Sequence, residues 1–167
     1  MVSDGHSMFE LPCGTLLATV SEHGLKELLF LAPEEKQKWR RLSVFERPSL
    51  LQRAVLESVR EWLQSYLAGE PLNEVRLDLD GTAFQREVWL TLHATSLGET
   101  LSYGLLAKKA GHPGASRAVG SAMAANPVTV IVPCHRVVKS DGGLGDYSGY
   151  GGCKTKQWLL DHETAFR

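Results

Sequence analysis

The sequence contains only three cysteines among 167 residues, at positions 13, 134 and 153, and no two of them form a Cys-x-x-Cys pair. Cysteines so few and so scattered exclude a disulfide framework, and they allow one thiol to react while the others stay structural. No apolar run reaches the roughly 18 residues that a membrane span needs, and the first residues lack the basic segment and apolar core of a signal peptide. We therefore expect a soluble intracellular protein without membrane contact, cytoplasmic in a prokaryote or nuclear in a eukaryote.

An excess of charge of either sign is also lacking, since 18 Lys and Arg face 19 Asp and Glu for a net charge of −1. A near-neutral chain argues against nucleic-acid binding driven by charge alone. The average hides a split, because residues 1–80 hold 9 basic against 13 acidic side chains, whereas residues 81–167 hold 9 against 6. The resulting net charges of −4 and +3 direct any polyanion to the C-terminal half, although ordinary surface variation explains the split equally well.

The first 80 residues predict a small α/β domain. Strand-like composition over Gly14–Val20 and 25–31 predicts a hairpin. Residues 33–47 carry mixed charges and predict a solvated loop. Apolar residues spaced by three and four over 51–67 predict a helix, and the alternation over 75–80 predicts a half-buried strand.

The best domain boundary is Gly81, which divides the chain into residues 1–80 and 81–167. Helical patterns in the second part fall over 82–92, 102–110, 115–124 and from 154 onwards. The two middle helices flank a tight turn that contains Gly and Pro, and they predict a helix-turn-helix. The β-branched run 128–132 is too short for a helix and predicts a strand that ends at Cys134.

The sharpest local feature is Pro133-Cys-His-Arg-Val137. A thiol has a pKa of about 8.5, so an imidazole that accepts its proton and a cationic Arg136 raise the thiolate fraction. Neighbouring side chains on an extended segment point to opposite faces, so His135 reaches Cys134 only through a bridging water or a bend. A carboxylate on the far imidazole nitrogen completes a Cys–His–acid arrangement. The candidates for that carboxylate are Glu163, Asp161, Asp146 and Asp141.

The dipeptide Cys134-His135 alone is better explained as a buried structural cysteine beside surface side chains, but further motifs accompany it in order along the chain. They are Gly81-Thr-Ala-Phe-Gln-Arg-Glu-Val-Trp89, Ser102-Tyr103, Arg117-Ala-Val-Gly120, Asn126-Pro127, Tyr147-Ser-Gly149 and Trp158-Leu-Leu-Asp-His-Glu163. In this combination the sequence resembles the O6-alkylguanine-DNA alkyltransferase family (methylated-DNA–protein-cysteine methyltransferases). The resemblance is strong over residues 81–167 and weaker over 1–80.

The resemblance implies both a fold and a reaction. It implies a ribonuclease-H-like α/β domain of small sheet plus helix for residues 1–80, and a mainly helical, winged helix-turn-helix-like domain for residues 81–167. The implied activity is DNA repair, in which Cys134 attacks the alkyl carbon on guanine O6, and on O4 of thymine, and keeps the group as a thioether. A saturated carbon needs no oxyanion hole and a thioether has no carbonyl for water to attack. We therefore expect a single turnover without cofactor or metal.

The resemblance also assigns catalytic roles. A water links Cys134 to His135, which pairs with Glu163, and Tyr103 pushes the target phosphate and later protonates the leaving base. Because O6 is buried in the base stack, the nucleotide must be rotated out of the duplex, and Arg117 fills the gap. DNA contacts are implied for Arg117, Ala118, Gly120, Ser121, Met123, Asn126 and Arg136. Asn126 additionally ties the recognition helix to the active-site strand.

The guanine pocket implied by the resemblance is formed by Val137, Tyr147 and Ser148. The spacing from Tyr147 to Trp158 is about two residues longer than the family pattern, so Tyr150 is an alternative to Tyr147. The expected partner is duplex DNA with alkylated guanine, bound by a monomer, with cooperative assembly on DNA left open.

Three alternatives compete with alkyl transfer. A lesion-sensing module without transfer chemistry is disfavoured by the presence of Cys134. A cysteine hydrolase needs an oxyanion hole that no motif marks, and a transcription regulator needs a more basic recognition helix than 115–124.

Cys13, His6 and His23 fit no metal-ligand spacing. Cys153 is interpreted as a bystander near the active-site loops.

Overall fold

The computed structural model describes residues 3–42 and 47–167 and divides the chain into two compact units. One unit extends to Leu79, and the other covers Asp80–Arg167. None of the helices among the described residues is both long and apolar enough to cross a membrane. The residues singled out for chemistry all fall in the second unit.

The first unit contains a three-stranded antiparallel sheet of β1 (Gly5–Leu11), β2 (Gly14–Val20) and β3 (Leu25–Phe30) in that order. The predicted hairpin of β2 and β3 is confirmed, with Leu17 opposite Leu29. β2 is the central strand, and six of its seven residues are buried. The coarse expectation of a small sheet with helices in this half is therefore met.

Helix α1 (Pro33–Leu42) lies where the sequence predicts a solvated loop, so that prediction is wrong for these residues. Pro33 occupies the first helical position, where its missing N–H costs nothing. The carboxylate of Glu35 accepts a hydrogen bond from the Ala32 N–H at 2.9 Å. No residue of α1 is buried, so the helix has no apolar stripe for the sequence to reveal. Residues 43–46 of the predicted loop lie outside the described residues.

Helix α2 (Leu50–Ala68) confirms the helix predicted from apolar spacing. The Ser49 hydroxyl accepts from the Gln52 N–H at 3.3 Å, and the Gln52 side chain accepts from the Ser49 N–H at 2.9 Å, which forms a capping box. Gly69 ends the helix in the left-handed conformation at φ 68°. The buried residues of α2 are Gln52, Val55, Val59, Trp62, Leu63 and Tyr66.

The strand predicted over residues 75–80 is wrong, because this segment forms only one bridge. Leu77 pairs in parallel with Leu25, through bonds of 2.8 Å to the Arg76 carbonyl and 2.9 Å from the Asp78 N–H. The segment pairs with β3 only at Leu25, the first residue of that strand, so the bridge does not extend into a β-ladder. Of its alternating apolar residues, only Val75 is buried.

The second unit is mainly helical. Its helices are α3 (Ala83–His93), α4 (Tyr103–Lys109), α5 (Ser116–Ala124) and α6 (Cys153–Thr164). Two short strands, β4 (Leu101–Ser102) and β5 (Val137–Val138), pair in parallel. The predicted helix-turn-helix corresponds to α4 and α5. The Trp89 indole N–H donates to the Ala122 carbonyl at 2.8 Å and fixes α5 against α3.

The β-branched run 128–132 forms a buried turn, so the predicted strand before Cys134 is wrong. The Val132 N–H donates to the Val128 carbonyl at 2.9 Å, and Ile131 donates to Thr129 at 2.9 Å, which closes the chain on itself. Val130 adopts a φ of 70°, which is rare for a β-branched residue and costly outside a well-packed setting. The whole run is buried. Its apolar composition therefore reflects burial and not strand pairing.

Candidate functional site

Cys134 begins a 3₁₀ turn, Cys134–Arg136, and borders a cavity of about 340 Å³. The turn supplies the bend that the adjacency of Cys134 and His135 requires, because the two side chains no longer alternate across a strand. Cys134 is only 4% exposed. The thiol is therefore reached through the cavity.

The cavity is bounded by the first residue of α4, by one face of α5 and by the loop that follows β5. The lining residues besides Cys134 are Tyr103, Gly120, Met123, Ala124, Lys139, Gly145, Asp146, Tyr147 and Ser148. Most of these side chains are small or aromatic, and two are charged. Such a lining suits a flat, partly apolar ligand with polar edges.

Burial raises the pKa of the Cys134 thiol, whereas a hydrogen bond with the Asn126 side chain and the charge of Lys156 act to lower it. Burial is the larger effect, so the thiol holds its proton near neutral pH. Reaction as a thiolate therefore needs a base.

His135 and Glu163 form the buried pair that the sequence predicts, with Nε2 of His135 at 2.6 Å from Oε1 of Glu163. Burial acts to raise the pKa of Glu163, but the hydrogen bonds and charges of His135 and Arg136 lower it to about 2. Burial lowers the pKa of His135 more than Glu163 raises it, so the imidazole is neutral. The ionised carboxylate takes the proton-bearing Nε2 and leaves Nδ1 as an acceptor. Nδ1 has no hydrogen-bond partner among residues 3–42 and 47–167.

The other carboxylates proposed for this role lie elsewhere. Asp161 is exposed and accepts from Gln157 at 2.7 Å, and Asp141 accepts from the Gly143 N–H at 2.9 Å. Asp146 lines the cavity. The geometry therefore selects Glu163 as the partner of His135.

Arg136 is buried, which corrects its assignment as a DNA contact. Its Nε donates to Oε2 of Glu163 at 2.8 Å and its Nη2 donates to Oε1 at 3.1 Å. Its Nη1 donates to the carbonyl and hydroxyl of Thr95 at 2.8 and 2.9 Å. All its donors face inward, so the guanidinium holds the carboxylate and cannot reach a phosphate.

Asn126 is also corrected as a DNA contact, because it is buried, whereas Met123 borders the cavity and its contact with DNA stays a prediction. The Asn126 amide donates to the Val132 carbonyl at 2.8 Å and accepts from the Val128 N–H at 3.0 Å. It therefore holds the buried turn that leads to Cys134, as the expected tie to the active-site segment requires. Met123 lines the cavity.

The remaining predicted DNA contacts lie on α5. Arg117, Ala118 and Ser121 are exposed, and Gly120 is partly exposed and lines the cavity. Positions 117, 120 and 124 share one helical face, so Arg117 lies one turn before the cavity wall. Their contact with DNA stays a prediction.

Tyr103 lines the cavity close to Gly145. A Cβ on Gly145, which has a φ of 70°, would lie 2.9 Å from the Tyr103 hydroxyl, so a glycine is needed here both for backbone conformation and for space. Burial, followed by the charges of Asp146 and Cys134, raises the pKa of Tyr103. The phenol therefore keeps its proton at neutral pH and is available as a donor.

The structure places Tyr147 and Ser148 in the cavity wall, whereas Tyr150 is 52% exposed and is not among the lining residues. Val137 does not line the cavity, which corrects its assignment to the pocket. Its side chain is fully buried in β5, and its carbonyl accepts a hydrogen bond from Lys156.

The sequence did not reveal the positions of two lysines near the site. Lys139 lines the cavity, and no motif marked it. Lys156, which belongs to the more basic C-terminal half of the sequence, is fully buried. A single lysine carries no sequence signal for burial, because lysines are almost always exposed.

The other thiols take no part in the cavity. Burial raises the pKa of Cys13 to about 11, which makes it unreactive, and Cys153 is exposed at the start of α6. Within the described ranges, no group of three or more His, Cys, Asp or Glu side chains is placed to hold a metal ion.

Known proteins resemble this chain in sequence and structure. Residues 83–165 match the family described as 6-O-methylguanine DNA methyltransferase, DNA binding domain. A methylated-DNA–protein-cysteine methyltransferase of Methanosarcina acetivorans is 39% identical over 163 residues, covering 95% of this chain and 97% of that protein. The like-named Salmonella typhimurium protein is 47% identical over 103 residues, but the match spans only 60% of this chain and 59% of that protein.

Solved structures agree over nearly the whole chain. Mycobacterium tuberculosis O6-methylguanine methyltransferase superposes with a TM-score of 0.78 at 35% identity, covering 98% of this chain and 94% of that one. A crystal structure of Mycobacterium tuberculosis OGT in complex with DNA gives a TM-score of 0.77 at 35% identity, covering 97% and 94%.

Proposed function

This chain belongs to the 6-O-methylguanine DNA methyltransferase family, and from that membership we propose that it repairs DNA by transferring the alkyl group of O6-alkylguanine to its own Cys134. One observation carries the proposal: a buried thiol borders a cavity, next in the chain to an imidazole that is held by a buried carboxylate. The transfer is stoichiometric and irreversible. O4-alkylthymine, which presents the same alkyl–oxygen bond, is a second substrate.

The first step removes the thiol proton. Nδ1 of His135 is the acceptor, because Glu163 holds the proton on Nε2. Even with the bend at Cys134, Nδ1 has no hydrogen-bond partner among the described residues, so we assign a water to bridge the thiol and Nδ1. The positive charge that forms on the imidazole is stabilised by the ionised Glu163.

The second step is displacement at a saturated carbon. The thiolate sulfur forms a bond to the alkyl carbon, the carbon–O6 bond breaks, and its electron pair goes to O6 of the purine. The guanine takes up one proton, so a thiol and an alkylguanine become a thioether and guanine. Tyr103, which keeps its proton at neutral pH, is the donor to the leaving base.

The alkylated base reaches the cavity only after rotation out of the duplex. We assign this step to the winged helix-turn-helix-like pair of α4 and α5, acting as a monomer. The small exposed side chains Ala118 and Ser121 allow α5 to approach the minor groove closely, and Arg117 replaces the rotated base in the stack. Tyr147 and Ser148 then wall the guanine within the cavity.

Mass spectrometry of the protein after incubation with duplex DNA that contains O6-methylguanine tests the proposal. We expect the Cys134 peptide to gain about 14 Da, one methylene, and never more than one group per chain, because a thioether cannot be hydrolysed. The Cys134→Ser variant is expected to gain nothing. Cys153→Ser, which removes an exposed thiol at the start of α6, is the matched control and is expected to react like the unchanged protein.

Two outcomes contradict the proposal. An unmodified Cys134 in folded, reduced protein refutes alkyl transfer to this residue. Repeated turnover without a lasting adduct indicates a hydrolase instead.

A further inference from the structure

A second cavity, of about 390 Å³, lies beside the cavity that Cys134 borders. Tyr103 and Lys139 line both cavities, so they belong to the wall that the two share. The Lys139 N–H donates to the Gly143 carbonyl at 2.8 Å, and the Gly142 N–H donates to the Lys139 carbonyl at 3.0 Å. This closed turn fixes the backbone of Lys139 between the two cavities.

Three side chains that line the second cavity carry hydroxyls, and these are Ser102, Ser116 and Ser140. The Ser102 oxygen accepts from the Leu105 N–H at 3.1 Å, which leaves the hydrogen of this hydroxyl to be donated. A Cβ on Gly104 would lie 3.4 Å from the Ser116 oxygen, so the glycine keeps that hydroxyl open to the cavity. The cavity therefore offers several hydrogen-bond donors to a ligand.

Lys139 and Asp141 carry the two charges at the second cavity. Oδ1 of Asp141 accepts from the Gly143 N–H at 2.9 Å, so this carboxylate oxygen is engaged within the turn. The ammonium group of Lys139 forms no salt bridge within the described ranges. An unpaired ammonium group together with hydroxyl donors suits a ligand that has several charged oxygen acceptors.

The proposed reaction brings such an anion to this place. A base that occupies the Cys134 cavity stays attached to its sugar and to the backbone phosphates on either side. Because Tyr103 and Lys139 line both cavities, a phosphate that flanks this base leaves the first cavity at the edge of the second. Phosphate oxygens accept hydrogen bonds from lysine and serine side chains, which fix the position of DNA on a protein without reading its sequence.

We propose that the second cavity binds a backbone phosphate that flanks the rotated nucleotide, with Lys139 as its ion-pair partner and the three serine hydroxyls as further donors. The inference rests on the proposed function, because the base in the Cys134 cavity brings the phosphate here. Lys139 is thereby a positioning residue, since it holds the nucleotide in its rotated position without touching the reacting atoms.

The test measures the binding of the Cys134→Ser variant to duplex DNA that contains O6-methylguanine, because this variant leaves the lesion unreacted. A neutral methylphosphonate replaces each of the two flanking phosphates in turn. The methylphosphonate at the bound position and Lys139→Gln are each expected to weaken binding about tenfold, because each removes one charge-assisted contact. The two changes together are expected to weaken binding no more than either alone.

Two further variants provide controls. Lys139→Arg keeps the positive charge, and it is expected to retain the full tenfold penalty of the methylphosphonate. Lys154→Gln removes an exposed lysine that lines neither cavity. The methylphosphonate is expected to weaken binding of this variant as much as it weakens binding of the parent chain.

A methylphosphonate penalty that is equal with Lys139 and with Lys139→Gln, at both flanking positions, overturns the inference. Unchanged duplex binding by Lys139→Gln also overturns it. Alkyl transfer is measured separately, by the mass of the Cys134 peptide in the unchanged protein. A protein that gains the methyl group without this coupling refutes the phosphate site alone, whereas one that shows the coupling and gains no methyl group refutes the proposed function alone.

Discussion

Replacing Glu163 by glutamine is expected to lower the free energy of unfolding by about 3–5 kcal/mol at neutral pH, because the substitution leaves the buried Arg136 without its counter-charge. Glu163 accepts two hydrogen bonds from Arg136, one from His135 and one from the Gly98 N–H at 3.0 Å. Glutamine has nearly the same shape, but its amide replaces one acceptor oxygen of the carboxylate with an NH₂ donor. That donor then faces an N–H group that previously donated to the carboxylate. Urea denaturation near pH 7 measures the change.

The exposed Asp161 on the same helix provides the matched control. Its carboxylate accepts only from Gln157 among the described contacts, so Asp161→Asn is expected to change the stability by no more than about 0.5 kcal/mol. A loss of similar size in both variants would show that the effect belongs to α6 in general and not to the buried pair.

The same carboxylate predicts how stability depends on pH. Glu163 titrates at about 2 in the folded chain, against 4.5 in the unfolded chain. Its contribution is therefore complete above pH 4.5 and is lost as the pH falls from 4.5 towards 2. The lowered pKa corresponds to about 3 kcal/mol. Denaturation at several pH values measures this dependence. The free energy of unfolding is expected to fall steeply between pH 4.5 and 2 for the unchanged protein and less steeply for Glu163→Gln.

The dipeptide Cys134-His135 shows how far sequence reasoning extends. Cys134 and His135 are adjacent in the chain, so the need for a bend or a water between them follows from backbone geometry alone. The structure has a 3₁₀ turn at this point. The carboxylate could not be selected in the same way, because Glu163 lies 28 residues from His135 and the choice depends on how α6 packs.

The wrong predictions at helix α1 and at the run 128–132 have a common physical origin. How deeply a segment is buried does not determine which backbone conformation it adopts. The run 128–132 is apolar because it is buried, yet it turns back on itself around Val130. Helix α1 is polar because it is exposed, yet Pro33 at its start and its charged end turns stabilise it. Periodicity reports which face is buried, so it fails where every residue or no residue is buried.

Charged residues near the site were misplaced for a related reason. A lone Arg or Lys is exposed in most proteins, so nothing in the local sequence marks Arg136 or Lys156 as buried. Both are buried, because Glu163 and backbone carbonyls satisfy their donors. Such partners come from distant parts of the chain and leave no mark in the local sequence.

Replacing Arg117 by alanine is expected to slow alkyl transfer from duplex DNA at least about 100-fold, because a rotated base costs a few kcal/mol of stacking that the guanidinium replaces. The same variant is expected to react with free O6-benzylguanine within about twofold of the unchanged rate, since a free base needs no rotation. Arg117 is exposed on the face of α5 that continues into the cavity through Gly120 and Ala124. Single-turnover rates with the two substrates measure the difference.

The control for Arg117 removes the same charge from the neighbouring helix. Lys108 is exposed on α4, away from the residues that line the cavity. Lys108→Ala is expected to weaken duplex binding by one phosphate contact at most, an effect that disappears as salt is raised. The loss in Arg117→Ala is expected to persist at high salt, because stacking in the gap does not depend on counterions. Equal losses on duplex and free base, or a loss that salt abolishes, would place Arg117 among ordinary phosphate contacts.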